Sequence, residues 1–273
     1  MTPARRRPLD KVLVERGHVA DVAAARALVA AGRVLVDGAP AWSPARAVAA
    51  GEQVTLVEVA QFVGRGGRKL DAAIRRFAVD VLGRRALDVG ASTGGFTECL
   101  LQHGAARVLA VDVGRAQLHE RLLADARVVS MERTNVRDLD RDDVVAALGD
   151  LPDVITVDLS FTSLVPHTAR IVALGAPIST LLVLVKPQFE VDRVTASKGR
   201  GVVTEPMAWR SSLASCASAL EEAGAGIMGA MASPVLGASG NVEFFLHASL
   251  GRPQGHPPST PLLEAAVGEA VAR

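Results

Sequence analysis

Residues 86–101, with the sequence ALDVGASTGGFTECLL, indicate the fold of the larger part of this chain. A short apolar run leads into a glycine-rich turn, and apolar residues at helical spacing follow the turn. Such a strand–turn–helix unit lets the backbone approach a ligand closely, and the helix N-terminus offers it unpaired N–H groups. The turn lacks the G-x-G-x-x-G fingerprint and the Gly-Lys-Ser/Thr of a Walker loop, which argues against a dinucleotide or ATP.

Outward from this unit, apolar runs alternate with helical patterns. Strands are predicted at 86–89, 107–113, 127–131, 154–159 and 181–186. Helices are predicted at 95–103, 116–123 and 206–223, and two late strands at 226–232 and 242–250. This alternation predicts an α/β fold, a mostly parallel sheet with helices on both faces.

Residues 9–59 predict a separate small α+β domain. Two helical patterns each end at a glycine, Gly17 and Gly32. The sequence VLVDGAP at 34–40 then predicts a hairpin with Asp37-Gly38 as its turn. We place the small domain at 1–60, a flexible linker at 61–68, the larger domain at 69–250, and a linker with a short C-terminal helix at 251–273.

The composition limits the class of protein. The chain has 273 residues, 49% of them hydrophobic, which suffices for a full core. No apolar run approaches the roughly 18 residues of a membrane span, and no long apolar stretch follows the basic start, so neither a membrane partner nor a secretory signal is expected. Cys99 and Cys216 have no metal-ligand spacing and suggest no disulfide framework, so we expect no metal and a reducing, cytoplasmic location.

Charge is distributed unevenly along the chain. Up to Arg76 there are 13 Lys/Arg against 7 Asp/Glu, and the remainder has 17 against 22. A basic front favours a polyanionic partner, although a solvated charged surface would give the same count.

Charged residues follow several of the predicted strands. Asp112 ends the strand RVLAVDV, where an acidic residue can hold both hydroxyls of a nucleoside ribose; by itself it also fits a helix N-cap. Lys186 ends the apolar run LLVLV, and a buried lysine is costly unless its ammonium group reaches a cleft or a partner. Asp158 ends the neighbouring strand. With Lys69 and Glu243 these residues are expected to converge at one strand-end crevice.

Five blocks in order, GGRKL, LDVGASTGGFTE, VDLSFTSL, LVKPQFE and SGNVEFF, resemble the hemolysin A-type ribosomal RNA 2′-O-methyltransferases, the TlyA family of the FtsJ-like group. The resemblance extends to about Leu250, and residues 9–59 resemble the alpha-L RNA-binding motif of a small-subunit ribosomal protein. It implies a Rossmann-like methyltransferase with an antiparallel last strand, preceded by a small RNA-binding domain.

The resemblance also implies S-adenosyl-L-methionine as cofactor and ribosomal RNA or ribosomal subunits as partner. It implies a catalytic tetrad of Lys69, Asp158, Lys186 and Glu243, in which Lys186 takes or orients the proton of a ribose 2′-hydroxyl. A lysine acts as a base only when its pKa is lowered, as a second cation and a dry pocket do. The cofactor-binding candidates are Asp88, Gly90, Ala91, Ser92, Thr93, Gly94, Gly95, Phe96, Asp112 and Asn135.

One departure from the family pattern affects the RNA-binding motif. Asp21-Val22 stands where the motif usually carries Ser-Arg, which removes a phosphate-contacting cation and adds a carboxylate. Other cations are available for RNA contacts: Arg5, Arg6, Arg7, Lys11, Arg26, Arg33, Arg65 and Arg68.

Three alternatives remain open. A base N-methyltransferase has a motif that DLSF loosely resembles, but it has no need for a pair of lysines. A small-molecule O-methyltransferase would keep the chemistry and is favoured by Asp21-Val22. A non-catalytic RNA-binding protein would have no reason to retain the whole tetrad, and a pore-forming cytolysin would need membrane-spanning elements, which the sequence does not predict.

Overall fold

The chain folds into two compact units, Met1–Ala60 and Gln61–Arg273. The computed structural model describes residues 6–57, 61–192, 201–251 and 259–272. Within these ranges, no helix combines the length and the apolar character that crossing a membrane requires.

The first unit is a small α+β domain. Its helices are α1 (Leu9–Glu15) and α2 (Val22–Ala30). Its strands are β1 (Arg7–Pro8), β2 (Val34–Val36), β3 (Ala39–Pro40), β4 (Ala47–Val48) and β5 (Val54–Leu56). Strand β2 pairs antiparallel with β3 and β5, and β1 pairs with β4. Asp37 and Gly38 both have positive φ, as the predicted tight hairpin turn requires.

The second unit is built on a seven-stranded sheet with the order β11-β12-β10-β9-β6-β7-β8. The strands are β6 (Arg85–Val89), β7 (Arg107–Val111), β8 (Val128–Met131), β9 (Val154–Val157), β10 (Thr180–Val185), β11 (Gly226–Ala232) and β12 (Phe244–Ser249). Strand β12 runs antiparallel to both of its neighbours, and the other pairings are parallel. The predicted fold class is confirmed.

Helices cover both faces of this sheet. They are α3 (Gly66–Phe77), α4 (Gly95–Gln102), α5 (Glu120–Leu123), α6 (Arg141–Leu148), α7 (Thr168–Ala173), α8 (Pro187–Glu190), α9 (Pro206–Glu222) and α10 (Ser259–Val271). Because side chains alternate between faces, Leu181 and Val183 join one hydrophobic cluster while Leu182 and Leu184 join the other. The strand order reverses between β6 and β9, and in open α/β sheets such a switch point is where ligands bind.

Residues 61–68 differ from the expected flexible linker, because they pack within the second unit. Phe62 is buried in its core, and the Val63 N–H donates to the Glu98 carboxylate. Helix α3 already begins at Gly66. Gly67 is required because a Cβ there would overlap the Phe62 ring. The glycines of this segment therefore serve close packing.

The helix predicted at 116–123 is shorter in the structure. Ala116 has a φ of 51°, and its N–H donates to the Glu132 carboxylate at 2.8 Å. These two features hold residues before α5 in a turn. The C-terminal helix, α10, begins at Ser259 and buries Leu263 and Val267 in the core.

Candidate active site

The two lysines and two carboxylates singled out from the sequence line one cavity of about 460 Å³. Lys69 lies on α3, Asp158 follows β9, Lys186 follows β10, and Glu243 precedes β12. Lys69 Nζ lies 2.5 Å from Glu243 Oε2, and Lys186 Nζ lies 2.6 Å from Asp158 Oδ1. The structure therefore brings together the four residues that the topology was expected to unite.

The Lys69–Glu243 pair and Lys186 are buried, whereas the Asp158 side chain is 21% exposed. Lys69 and Lys186 are each 8% exposed, and Glu243 is 3% exposed. Burying charges in this way is tolerated only when each is paired and hydrogen-bonded. The sequence LLVLV explains how Lys186 reaches this position, because its five apolar residues hold β10 in the core up to the lysine.

Ser160 is a member of this site that the sequence analysis did not single out. Lys186 Nζ donates to Ser160 Oγ at 2.6 Å, in addition to its contact with Asp158. Two oxygens thus fix the direction of the Lys186 ammonium group. The signal was present in the block DLSF, where Ser160 follows Asp158 by two residues, but a lone hydroxyl has no distinctive pattern.

A second cavity, of about 440 Å³, adjoins the first at the carboxyl ends of β6, β7 and β9. Asp158, Ser160 and Phe161 line both cavities. Its lining includes these cofactor-binding candidates from the sequence: Gly90, Ser92, Asp112 and Asn135. A ligand in the second cavity would therefore lie beside the lysines and carboxylates of the first.

The glycine turn is shaped by close backbone contact with Asp158. Gly90 has a φ of 86°, and a Cβ there would lie 2.6 Å from the Asp158 carbonyl oxygen. The Asp112 carboxylate braces the turn, since it accepts hydrogen bonds from the N–H groups of Ser92 at 2.8 Å and Gly114 at 2.6 Å. Glycine at position 90 thus keeps the backbone of Asp158 close to the turn.

The remaining cofactor-binding candidates lie around this turn in different settings. Gly94 packs against Leu118 and Leu122. A smaller cavity of about 110 Å³ is lined by Ala91, Thr93, Gly95 and Phe96, together with Asp158.

Asp88 lies close to the turn, on β6, and is completely buried, and its part in cofactor binding stays a prediction. Its carboxylate accepts hydrogen bonds from the hydroxyls of Thr97 at 2.7 Å and Thr156 at 2.9 Å. Burial raises the pKa of Asp88 to about 7, against the opposing effect of these hydrogen bonds. The structure assigns Asp88 a supporting position that ties β6 to α4 and β9.

His167 also lines the second cavity and was not foreseen from the sequence. Its ring is buried, and Thr162 Oγ1 lies 3.3 Å from Nε2. Burial and then the charge of Arg137 lower the pKa of His167 from its ordinary value. The imidazole therefore presents a neutral ring to this cavity at neutral pH.

The RNA-binding candidates of the first unit fall into two groups. Arg7 pairs with Glu15, and Arg26 Nε lies 2.9 Å from the Asp10 carboxylate. The members without a carboxylate partner among the described residues are Arg6, Lys11 and Arg33. Arg5 lies outside the described residues.

Arg65 and Arg68 belong to the second unit, at the start of α3. Both are exposed, and Arg65 also lines the cavity that holds Lys69 and Lys186. Of these two cations, Arg65 thus lies at the candidate site.

Comparison with known proteins agrees with this architecture. Residues 62–250 match the FtsJ-like methyltransferase family, and residues 7–54 match the S4 domain. The chain is 44% identical to the 16S/23S rRNA (cytidine-2′-O)-methyltransferase TlyA of Mycobacterium tuberculosis, over 89% of this chain and 90% of that protein. It is 34% identical to Hemolysin A of Brachyspira hyodysenteriae, over 88% of this chain and 98% of that one.

A solved hemolysin-like structure from Streptococcus thermophilus has the same fold throughout. It superimposes with a TM-score of 0.72 at 31% identity, and 98% of each chain is covered. The chain belongs to the FtsJ-like methyltransferase family and carries an S4 domain ahead of its methyltransferase domain.

Proposed function

We propose that this protein transfers a methyl group from S-adenosylmethionine to a ribose 2′-hydroxyl of ribosomal RNA. The observation that carries the proposal is the pair of buried ion pairs, Lys69–Glu243 and Lys186–Asp158, beside a cavity suited to a nucleoside. The activity in the name of the Mycobacterium tuberculosis relative supports the same reaction, with cytidine as the first nucleotide to test. On the same ground we propose a cytoplasmic location, since the substrate would be ribosomal RNA.

The residues of the second cavity fit S-adenosylmethionine. Its volume of about 440 Å³ lies within the usual range for small-molecule sites. Asp112 would accept hydrogen bonds from the ribose hydroxyls, Asn135 would lie near the adenine, and the turn at Gly90 would leave room for the methionine part. When bound, the cofactor would supply an electrophilic methyl group on a sulfonium sulfur.

Lys186 is the residue that we assign to the 2′-hydroxyl. Asp158 Oδ1 and Ser160 Oγ hold its ammonium group at 2.6 Å each, which leaves the remaining Nζ direction for the substrate. Lys69, held by Glu243, would contact the same nucleotide from α3. Lys69 and Glu243 thus form the second fixed ion pair of the tetrad.

Orientation contributes more than proton abstraction in this scheme. Alignment of two reacting groups is worth about 7–11 kcal/mol, whereas general-base help is worth about 10²–10⁴ in rate. Both lysine ammonium groups are ion-paired in the structure, an arrangement suited to holding a hydroxyl at a fixed place. The tetrad therefore positions the 2′-oxygen first and assists the loss of its proton second.

The reaction is tested by incubating the full chain with methyl-labelled S-adenosylmethionine and separated, unmethylated ribosomal subunits. We expect label in ribosomal RNA of at least one subunit, and alkaline hydrolysis should leave it in dinucleotides, because a 2′-O-methyl group blocks cleavage at that position. Label in mononucleotides would indicate methylation of a base and would overturn the proposal. Binding of the cofactor without any transfer to RNA would favour the small-molecule alternative.

A further inference from the structure

Part of the positive charge of the S4 unit is already engaged within the protein. Residues 1–60 contain eight Lys/Arg against six Asp/Glu. Arg7 and Arg26 are already paired with carboxylates, and the Arg16 guanidinium donates to the carbonyls of Glu52 at 2.7 Å and Ala50 at 3.2 Å. These three cations are less available to neutralise phosphates, each of which would add about 0.7 to the salt slope of binding to a single strand.

Trp42 is an aromatic residue of this unit whose exposure to solvent is not explained by charge. It lies between β3 and β4 and is 71% exposed. The second tryptophan of the chain, Trp209, is buried and donates its indole N–H to the Val203 carbonyl. Leaving a large aromatic ring in water forgoes the free energy that its burial would give.

The exposed indole is held in place by packing against Gly32. Gly32, just after α2, has a φ of 68°, and a Cβ there would lie 2.7 Å from Cζ3 and 2.8 Å from Cη2 of Trp42. The backbone on both sides of Trp42 is also fixed, since the Ala41 N–H donates to the Val34 carbonyl and the Pro44 carbonyl accepts from the Asp10 N–H. The ring is therefore prepared for binding and loses little freedom when a partner covers it.

We propose that Trp42 is a stacking platform for an unpaired base of RNA, and that it supplies affinity that does not depend on charge. Aromatic rings bind unpaired bases through their faces with little regard to sequence. Arg33 follows Gly32 in the chain; its Nε donates to the Val57 carbonyl at 3.2 Å, and it has no carboxylate partner among the described residues. This inference rests on the proposed function, because it takes RNA as the substrate.

The test compares full-length wild type with Trp42→Ala, using a short labelled single-stranded RNA at several KCl concentrations. We expect Trp42→Ala to weaken binding about 5- to 150-fold, as the loss of one base–aromatic stack does. The slope against salt should stay unchanged, because stacking displaces no counterions, whereas Arg33→Ala should reduce it by about one. The same RNA annealed to its complement should lose the dependence on Trp42.

The matched control is Leu82→Ala, which removes an apolar side chain that is 75% exposed and lies over a glycine, Gly104, in the other unit. It should bind RNA as wild type does. Equal affinity of Trp42→Ala and wild type would overturn the inference while leaving the proposed function intact, and so would an equal loss on duplex RNA. Failure of the wild type to bind this RNA would also overturn the inference, whereas only a lack of methyl transfer to ribosomal subunits would overturn the proposed function.

Discussion

Removing one member of the Lys69–Glu243 pair is expected to destabilise the methyltransferase unit strongly, whereas removing both should restore its stability but not its activity. The two charged atoms lie 2.5 Å apart, and their side chains are 10% and 3% exposed. A buried charge that loses its partner costs about 3–5 kcal/mol. For a unit of this size each kcal/mol lowers the melting temperature by about 2–4 °C, so we expect a drop of about 6–20 °C.

The assay is thermal unfolding of Lys69→Met, Glu243→Gln and the double variant, followed by single-turnover methyl transfer to unmethylated subunits. Both single variants should lose stability, and the double variant should recover most of it, because no unpaired charge remains. All three should be inactive. Arg84→Met is the control, since it breaks an exposed pair with Asp80 worth about 0.2–1 kcal/mol. Wild-type stability of the single variants, or methyl transfer by the double variant, would refute this reasoning.

Two further predictions concern the glycine turn and the residue beneath it. Burial raises the pKa of Asp88 from 3.8 in the unfolded chain to about 7 in the folded protein. Protonated Asp88 therefore contributes stability below pH 3.8, and this contribution of at most about 4 kcal/mol is lost as the pH rises toward 7. Urea unfolding should show that Asp88→Asn flattens this dependence, and an unchanged pH profile would contradict the buried setting of Asp88. Gly90→Ala should abolish methyl transfer and weaken cofactor binding in calorimetry, because its Cβ would displace Asp158. Gly149→Ala is the control, because Gly149 has the same φ of 86° and nothing lies within 4 Å of the added Cβ. This control should lose about 1 kcal/mol of stability and should still bind the cofactor. Equal cofactor binding by both variants would count against the close approach at Gly90.

Much of the large sheet was predictable because its strands are buried on both faces. A short, continuous apolar run such as LLVLV, with a proline soon after it, indicates a buried strand of a parallel sheet. The strand predicted at 226–232 has the same bounds in the structure. The convergence of Lys186 with Asp158 followed from the same rule, since the ends of neighbouring parallel strands meet at one edge of a sheet. The catalytic roles of these residues stay predictions.

Other features depend on neighbours that the sequence does not reveal. Composition alone does not tell whether a glycine-rich segment is flexible or tightly packed. At residues 61–68 the contact of the Phe62 ring with Gly67 shows that the segment is packed. Asp21 was interpreted as a lost RNA contact, and the structure gives it a local task, because its side chain accepts a hydrogen bond from the Ala24 N–H and caps α2.

The central claim is that Lys186, held by Asp158 and Ser160, is needed for methyl transfer to the 2′-oxygen and not for binding the cofactor. The most direct measurement pairs calorimetry with S-adenosylmethionine and single-turnover transfer of labelled methyl to ribosomal RNA, for wild type and Lys186→Ala. We predict equal cofactor affinity for both proteins, label on a ribose with the wild type, and a loss of transfer by Lys186→Ala to near background. Turnover by Lys186→Ala at the wild-type rate would contradict the account.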